Sequence, residues 1–192
     1  MEDKKKLILK AGEEIISKKG FSNATIEEIT KRAKVGKGTF YLYFKNKDDL
    51  FYSIIKEGLD ALVIEIRKTI EKIDDFFEKL KKGIGMYLTY HQKNYFLFKI
   101  LLQEKPFLKN KNFVNFWDDF FKKWDFIKKG IKEQIKKKKI VKNIQPDDFL
   151  YSLLGILHGN IHRWLVQGRK YPLVEKKDVI YEIFVKGIRR KK

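Results

Sequence analysis

The densest run of groups able to do recognition chemistry lies between residues 25 and 47. Lys31, Arg32, Lys34, Lys37, Lys45 and Lys47 place six cations over residues 31–47, with no carboxylate among them. Thr25, Thr39, Tyr41 and Tyr43 add hydroxyls. Gly36 and Gly38 leave backbone N–H groups open to the close approach of an anion. Cations, hydroxyls and bare amides in one short stretch suit the phosphates and base edges of nucleic acid.

A second constellation is His158-Gly-Asn-Ile-His162, two imidazoles four residues apart. On a helix that spacing can hold a metal. The glutamate beside the first histidine that a zinc hydrolase needs is absent, and no third ligand is identifiable. No metal is therefore expected. With no cysteine, no phosphate-binding glycine loop and no nucleophile–base pair, the chain reads as neither an enzyme nor a cofactor carrier.

A third concentration is aromatic. Between residues 76 and 126 the chain is crowded with rings, Tyr90, Trp117 and Trp124 among them. Rings at helical spacing build cores, and bulky rings in a helical bundle also enclose apolar cavities, the usual small-molecule sites. Tyr90, His91, Trp117, Trp124 and His158 are the candidate lining of such a pocket, and the ligand expected there is hydrophobic or aromatic.

The composition sets the frame. The 192 residues carry 44 Lys and Arg against 25 Asp and Glu, a net charge of +19, with 43% hydrophobic and 15% aromatic residues. That aromatic content excludes a disordered basic tail. No apolar run approaches a membrane span and no signal peptide opens the chain, so a soluble, cytoplasmic protein without a membrane partner is expected. The positive charge suggests a polyanionic partner. Yet residues 1–50 hold a net of only +4 and residues 51–192 hold +15. Residues 122–142 alone contain ten lysines and two acids, Asp125 and Glu133. That stretch reads as a solvated helix face, with a surface for an anionic ligand such as an acyl-CoA as the other reading. A non-specific polyanion or membrane-surface module using it is the alternative function.

The elements that must position these groups are helices. Leu7, Ile8, Ala11, Ile15 and Ile16 share one face of a helix over residues 3–19, which Gly20 ends. Thr25-Ile26-Glu27-Glu28 has capping-box spacing and opens a short second helix. After a break at residues 34–36, a third short helix runs over about 37–43. Asn46 or Lys47 then opens a long helix whose apolar stripe continues to Ile70. Further helices are expected near 74–92, 94–103, 112–139, 147–167 and 175–190. Two short helices joined by a tight turn, over about residues 25–44, form a helix-turn-helix, whose second helix enters a major groove.

From Gly20-Phe21 through Ala24-Thr25-Ile26, Ile29, Ala33 and Val35, and on through Lys37-Gly38-Thr39-Phe40-Tyr41-Leu42-Tyr43-Phe44-Lys45-Asn46-Lys47-Asp48-Asp49-Leu50, the sequence resembles the TetR family of transcriptional regulators. The resemblance implies an all-α homodimer. Its N-terminal three-helix DNA-binding domain (residues 1–50) would be joined by a long helix to a helical-bundle ligand-binding and dimerisation domain (51–192). Such a protein mostly represses transcription and leaves a double-stranded operator on binding a small molecule. By position, Thr25, Tyr41, Tyr43 and Lys47 would contact phosphates, and Lys37, Gly38 and Thr39 would face the groove, with Gly36 at the helix start. Three positions depart from the pattern. Lys34 stands where glycine is usual, Gly36 where a side-chain cap is frequent, and Leu42 at a frequently polar or aromatic place. The last two long helices would pair with their mates as a four-helix bundle, and Gly155, Gly159, Ile183 and Phe184 are the candidate contacts.

Overall fold

The computed structural model describes residues 3–96, 98–99 and 119–188. Eight α-helices of seven or more residues carry most of this: α1 (Lys4–Lys19), α2 (Ile26–Arg32), α3 (Lys37–Tyr43), α4 (Lys47–Ile70), α5 (Phe76–Lys93), α6 (Asp125–Lys136), α7 (Pro146–Val166) and α8 (Lys177–Ile188). A 3-10 turn, Leu173–Lys176, precedes α8. The expected helix over 112–139 is broken in its described part by a turn at Lys123-Trp124. Trp117, half of the expected helix over 94–103, and the last residues of the one over 175–190 lie outside the described residues.

Two compact units divide the described chain, and the division falls within α4, after Ala61. In the first, α1 buries Ile8, Leu9, Ala11, Gly12 and Ile16. Gly12 is where α1 needs no side chain, because a Cβ there would stand 2.8 Å from Leu50 Cδ2 and 3.1 Å from Ile54 Cδ1. α2 opens on the expected capping box: Thr25 Oγ1 accepts from the Glu28 amide, and Glu28 accepts from the Thr25 amide. Phe40 and Phe44 anchor α3 in the core, 0% and 2% exposed. Asn46 caps α4, accepting from the Asp49 amide at 2.8 Å.

The turn between α2 and α3 is closed by a paired C-terminal motif. The Val35 amide donates to Thr30 O and the Lys34 amide to Lys31 O. That geometry puts Lys34 at φ +54°, in the left-handed region where a Cβ is crowded and glycine is favoured. Lys34→Gly should therefore stabilise the chain by about 1 kcal/mol, read as a rise of roughly 2–4 °C in Tm.

In the second unit, α7 buries Phe149, Leu150, Leu153, Leu154, Leu157, Ile161 and Trp164, with Pro146 in its first turn. Two hydrogen bonds secure the segment that follows: Trp164 Nε1 donates to Tyr171 O, and the Leu173 amide donates to Gln92 Oε1 on α5, each at 2.6 Å. Phe184 on α8 meets Phe149 edge to face at 4.8 Å. Gly130 on α6 admits the Phe76 ring, which would lie 3.0 Å from a Cβ there.

Candidate nucleic-acid interface and core cavity

α3 turns one side into the core of its unit and leaves the other in solvent. Tyr41 is 56%, Leu42 81% and Tyr43 42% exposed, while Lys37 and Gly38 are exposed and Thr39 is half-buried. Gly36 begins the helix with no side-chain cap, and nothing crowds it or Gly38. The expected groove-facing residues are thus accessible, Lys37 and Gly38 openly and Thr39 in part. Leu42 joins them as its most outward side chain. Sequence reasoning set Leu42 aside because its type is unusual there, although its place between Tyr41 and Tyr43 on a short helix was the available signal.

The cations are less free than their sequence suggests. Lys37 pairs with Glu27 on α2, and the hydrogen bond from Lys37 holds the Glu27 carboxyl below its ordinary range. Arg32 pairs with Glu14 at 2.6 Å. Lys47 departs most from expectation. Its ammonium donates to Phe21 O at 2.7 Å, Ala24 O at 2.8 Å and Ser22 O at 3.3 Å, and lies 4.5 Å from the Phe21 ring centroid. An ammonium has three donors, and here carbonyl oxygens just before α2 take all of them. The phosphate clamp expected of Lys47 is, in this structure, a tie between α4 and the α1–α2 turn. Thr25 likewise spends its hydroxyl within the capping box.

In the second unit the candidate pocket residues separate. His91, His158 and Trp124 gather around Tyr87, which sequence reasoning passed over as one ring among many. Tyr87 Oη is 2.7 Å from His158 Nε2, its ring stacks on His91 at 4.3 Å, and Trp124 lies 6.3 Å away. His91 Nδ1 bonds Tyr87 O at 2.9 Å. Burial pushes the Tyr87 phenol well above its ordinary value and lowers both histidines to about 4, against 6.5 in water. Both imidazoles are therefore neutral at pH 7. Next to this cluster is a small apolar cavity of about 30 Å3, lined by residues that include Ile66, Ile84, Tyr87, Trp124, Leu153 and Leu157. Tyr90 instead lines a cleft of about 600 Å3 with Met86, Lys93 and Lys177.

His162 is exposed while His158 is bonded to Tyr87. Among the described residues no three His, Cys, Asp or Glu side chains gather as a metal site, and no helix is long and apolar enough to cross a membrane.

The candidate dimer residues also separate. Gly155 and Gly159 are exposed on α7, with no atom within 4 Å of where a Cβ would stand. Ile183 on α8 is 63% exposed. Tyr151, Val166 and Val179 are further apolar side chains left in solvent on these two helices. Phe184 is instead turned inward against Phe149 and is 6% exposed, because it follows Ile180 on the buried side of α8 at helical spacing.

Residues 8–54 match the family model described as "Bacterial regulatory proteins, tetR family". The fatty acid metabolism regulator protein of Bacillus subtilis is 26% identical over 185 residues, 96% of this chain and 95% of that protein. The fold is shared with the transcriptional regulator FadR of Bacillus subtilis, crystallised in complex with stearoyl-CoA (TM-score 0.83, 24% identity, 95% of this chain and 98% of that one). It is also shared with the fatty acid degradation regulator FadR of Bacillus halodurans (TM-score 0.81, 24% identity, 96% and 99%).

Proposed function

Because this chain belongs to the TetR family of transcriptional regulators, we propose that it is a homodimeric repressor released from its operator by a long-chain fatty acyl thioester. Residues 1–50 read the DNA, and residues 51–192 sense the effector and form the dimer. The observation that carries the DNA-reading half is the exposure of α3, where Lys37, Gly38, Tyr41, Leu42 and Tyr43 lie in solvent and Thr39 is half-buried. In a major groove, Thr39 and Leu42 meet base edges, the leucine through the thymine methyl. Tyr41 and Tyr43 donate to phosphates, and Lys37 exchanges Glu27 for a phosphate or a base.

Apolar groups on α7 and α8, with the bare backbone at Gly155 and Gly159, support an isologous contact between two copies. A two-fold dimer would present its α3 helices to half-sites about 34–36 Å apart, or a multiple of that, on a palindromic operator. The effector reading rests on the aliphatic lining of the core cavity and on the full-length likeness to a regulator of fatty acid metabolism. Effector binding acts by favouring a dimer whose two reading helices no longer match the groove spacing.

Selection from random duplex tests the reading. A palindromic consensus should emerge, and stearoyl-CoA should release it. Equal affinity for the selected and scrambled duplexes at physiological salt would instead leave a non-specific polyanion binder. Lys37→Ala should weaken binding to every duplex and lower the salt slope by about 0.9 for each phosphate it no longer neutralises. Thr39→Ala should change sequence preference and leave the slope intact, and anisotropy titrations over a salt series separate the two.

A further inference from the structure

The core of the second unit contains a hydrogen-bond donor with no acceptor among the described residues. Trp124 is 6% exposed, and its indole N–H is fully buried with no hydrogen-bond partner among the described residues. The other described tryptophan, Trp164, is satisfied by Tyr171 O. Buried donors are nearly always paired, so an orphan marks a place where an acceptor arrives. Trp124 is held by rings on three sides: edge-on Phe120 at 5.9 Å, stacked Phe126 at 5.8 Å, and tilted Tyr87 at 6.3 Å.

The wall that Trp124 shares selects the acceptor. The cavity is lined by aliphatic side chains of α4, α5, α6 and α7, with Tyr87 and the half-buried Lys79 as its other polar residues. Tyr87 already bonds His158. The volume of about 30 Å3 matches one water. A buried water typically makes about three hydrogen bonds, however, and this lining offers it little beyond the indole. The chemistry that fits is a molecule apolar along its length with one neutral acceptor oxygen.

Building on the effector reading above, we propose that the Trp124 indole N–H donates to the thioester carbonyl oxygen of a long-chain acyl-CoA, and so distinguishes the thioester from hydrocarbon of the same length. The acyl chain lies among Ile66, Ile84, Leu153 and Leu157 and enlarges the cavity by parting α5 from α7. The carbonyl is placed where the orphan donor waits. A free carboxylate is disfavoured, because its charge would enter a wall with Lys79 as its sole ionic partner.

The test compares stearoyl-CoA with its S-octadecyl thioether, in which a methylene replaces the carbonyl, and with stearate, on the full-length protein bound to operator. The wild type should need about tenfold more thioether than thioester for half-release. Trp124→Phe, which keeps a ring and loses the N–H, should need equal amounts of both. A tenfold preference that survives in Trp124→Phe would falsify the assignment, as would a wild type that cannot tell the two apart or that responds to stearate as to stearoyl-CoA. An independent readout needs no variant. In 15N-labelled wild type, the Trp124 indole proton should move downfield with stearoyl-CoA and not with the thioether. An indole resonance unmoved by bound stearoyl-CoA overturns the inference while leaving the effector reading intact. Absence of binding by stearoyl-CoA itself removes both.

Discussion

Lys47→Ala will weaken operator binding by about tenfold or more and leave its salt dependence unchanged. The ammonium serves the Phe21, Ser22 and Ala24 carbonyls and the Phe21 ring. Its loss strands acceptors at the entrance to α2. Charge-assisted hydrogen bonds are worth about 1.5–3 kcal/mol each, so the tie between α4 and the α1–α2 turn loosens and α3 is held less firmly for the groove. A cation that neutralises a phosphate behaves otherwise: removing it lowers the slope of log K against log salt by about 0.9, or nearly two for a dimer with one such cation per protomer. Affinity measured from low to moderate salt separates the cases, and a slope reduced by that amount would show Lys47 leaving its carbonyls for DNA. Thermal unfolding supplies a second reading, since a broken tie lowers Tm in the absence of DNA.

Acidification from pH 7 to pH 4 should destabilise the second unit strongly. Burial lowers His91 and His158 to about 4 in the folded chain, whereas the unfolded chain titrates near 6.5. Above about pH 6.5 neither state binds these protons and stability is at its maximum. Between 6.5 and 4 the unfolded chain takes up protons that the folded chain refuses, so stability falls as pH falls. Each histidine contributes a loss of about 1.4 kcal/mol per pH unit through that window. Together they reach about 6 kcal/mol at pH 4, a large share of the total stability of an ordinary domain. Tm measured across this window should drop steeply, and His91→Phe should remove roughly half of the histidine-dependent part. A Tm constant from pH 7 to pH 5 would contradict the burial of these imidazoles in solution.

Much of the first unit was legible in the residues because its signals are local. The capping box at Thr25 and Glu28, the glycine ending α1 and the apolar stripe of α4 each act within one or two turns of helix, and the structure reproduces all three. Phe40 and Phe44 were readable as anchors for the same reason, one on the inward side of a two-turn helix and the other at its C-cap. The second unit was less legible. Tyr87 was one ring among many, and its bond to His158 joins residues 71 positions apart. Phe184 and Ile183 are neighbours in sequence, yet one is buried and the other exposed. The register of α8 against α7 decides that, and composition cannot.

The charge of the reading head shows the same division. Order along the chain determined that residues 31–47 hold six cations and no acid, interleaved with the hydroxyls of Thr39, Tyr41 and Tyr43. That follows from the sequence because it is a statement about neighbours. Only the tertiary structure decided what three of these cations do. Glu27 and Glu14, outside the acid-free run, reach back to Lys37 and Arg32, and the α1–α2 turn closes its carbonyls around Lys47. A lysine stem is long enough to choose between water, phosphate, carboxylate and backbone. The fold settles the choice by the distance at which it sets each of these.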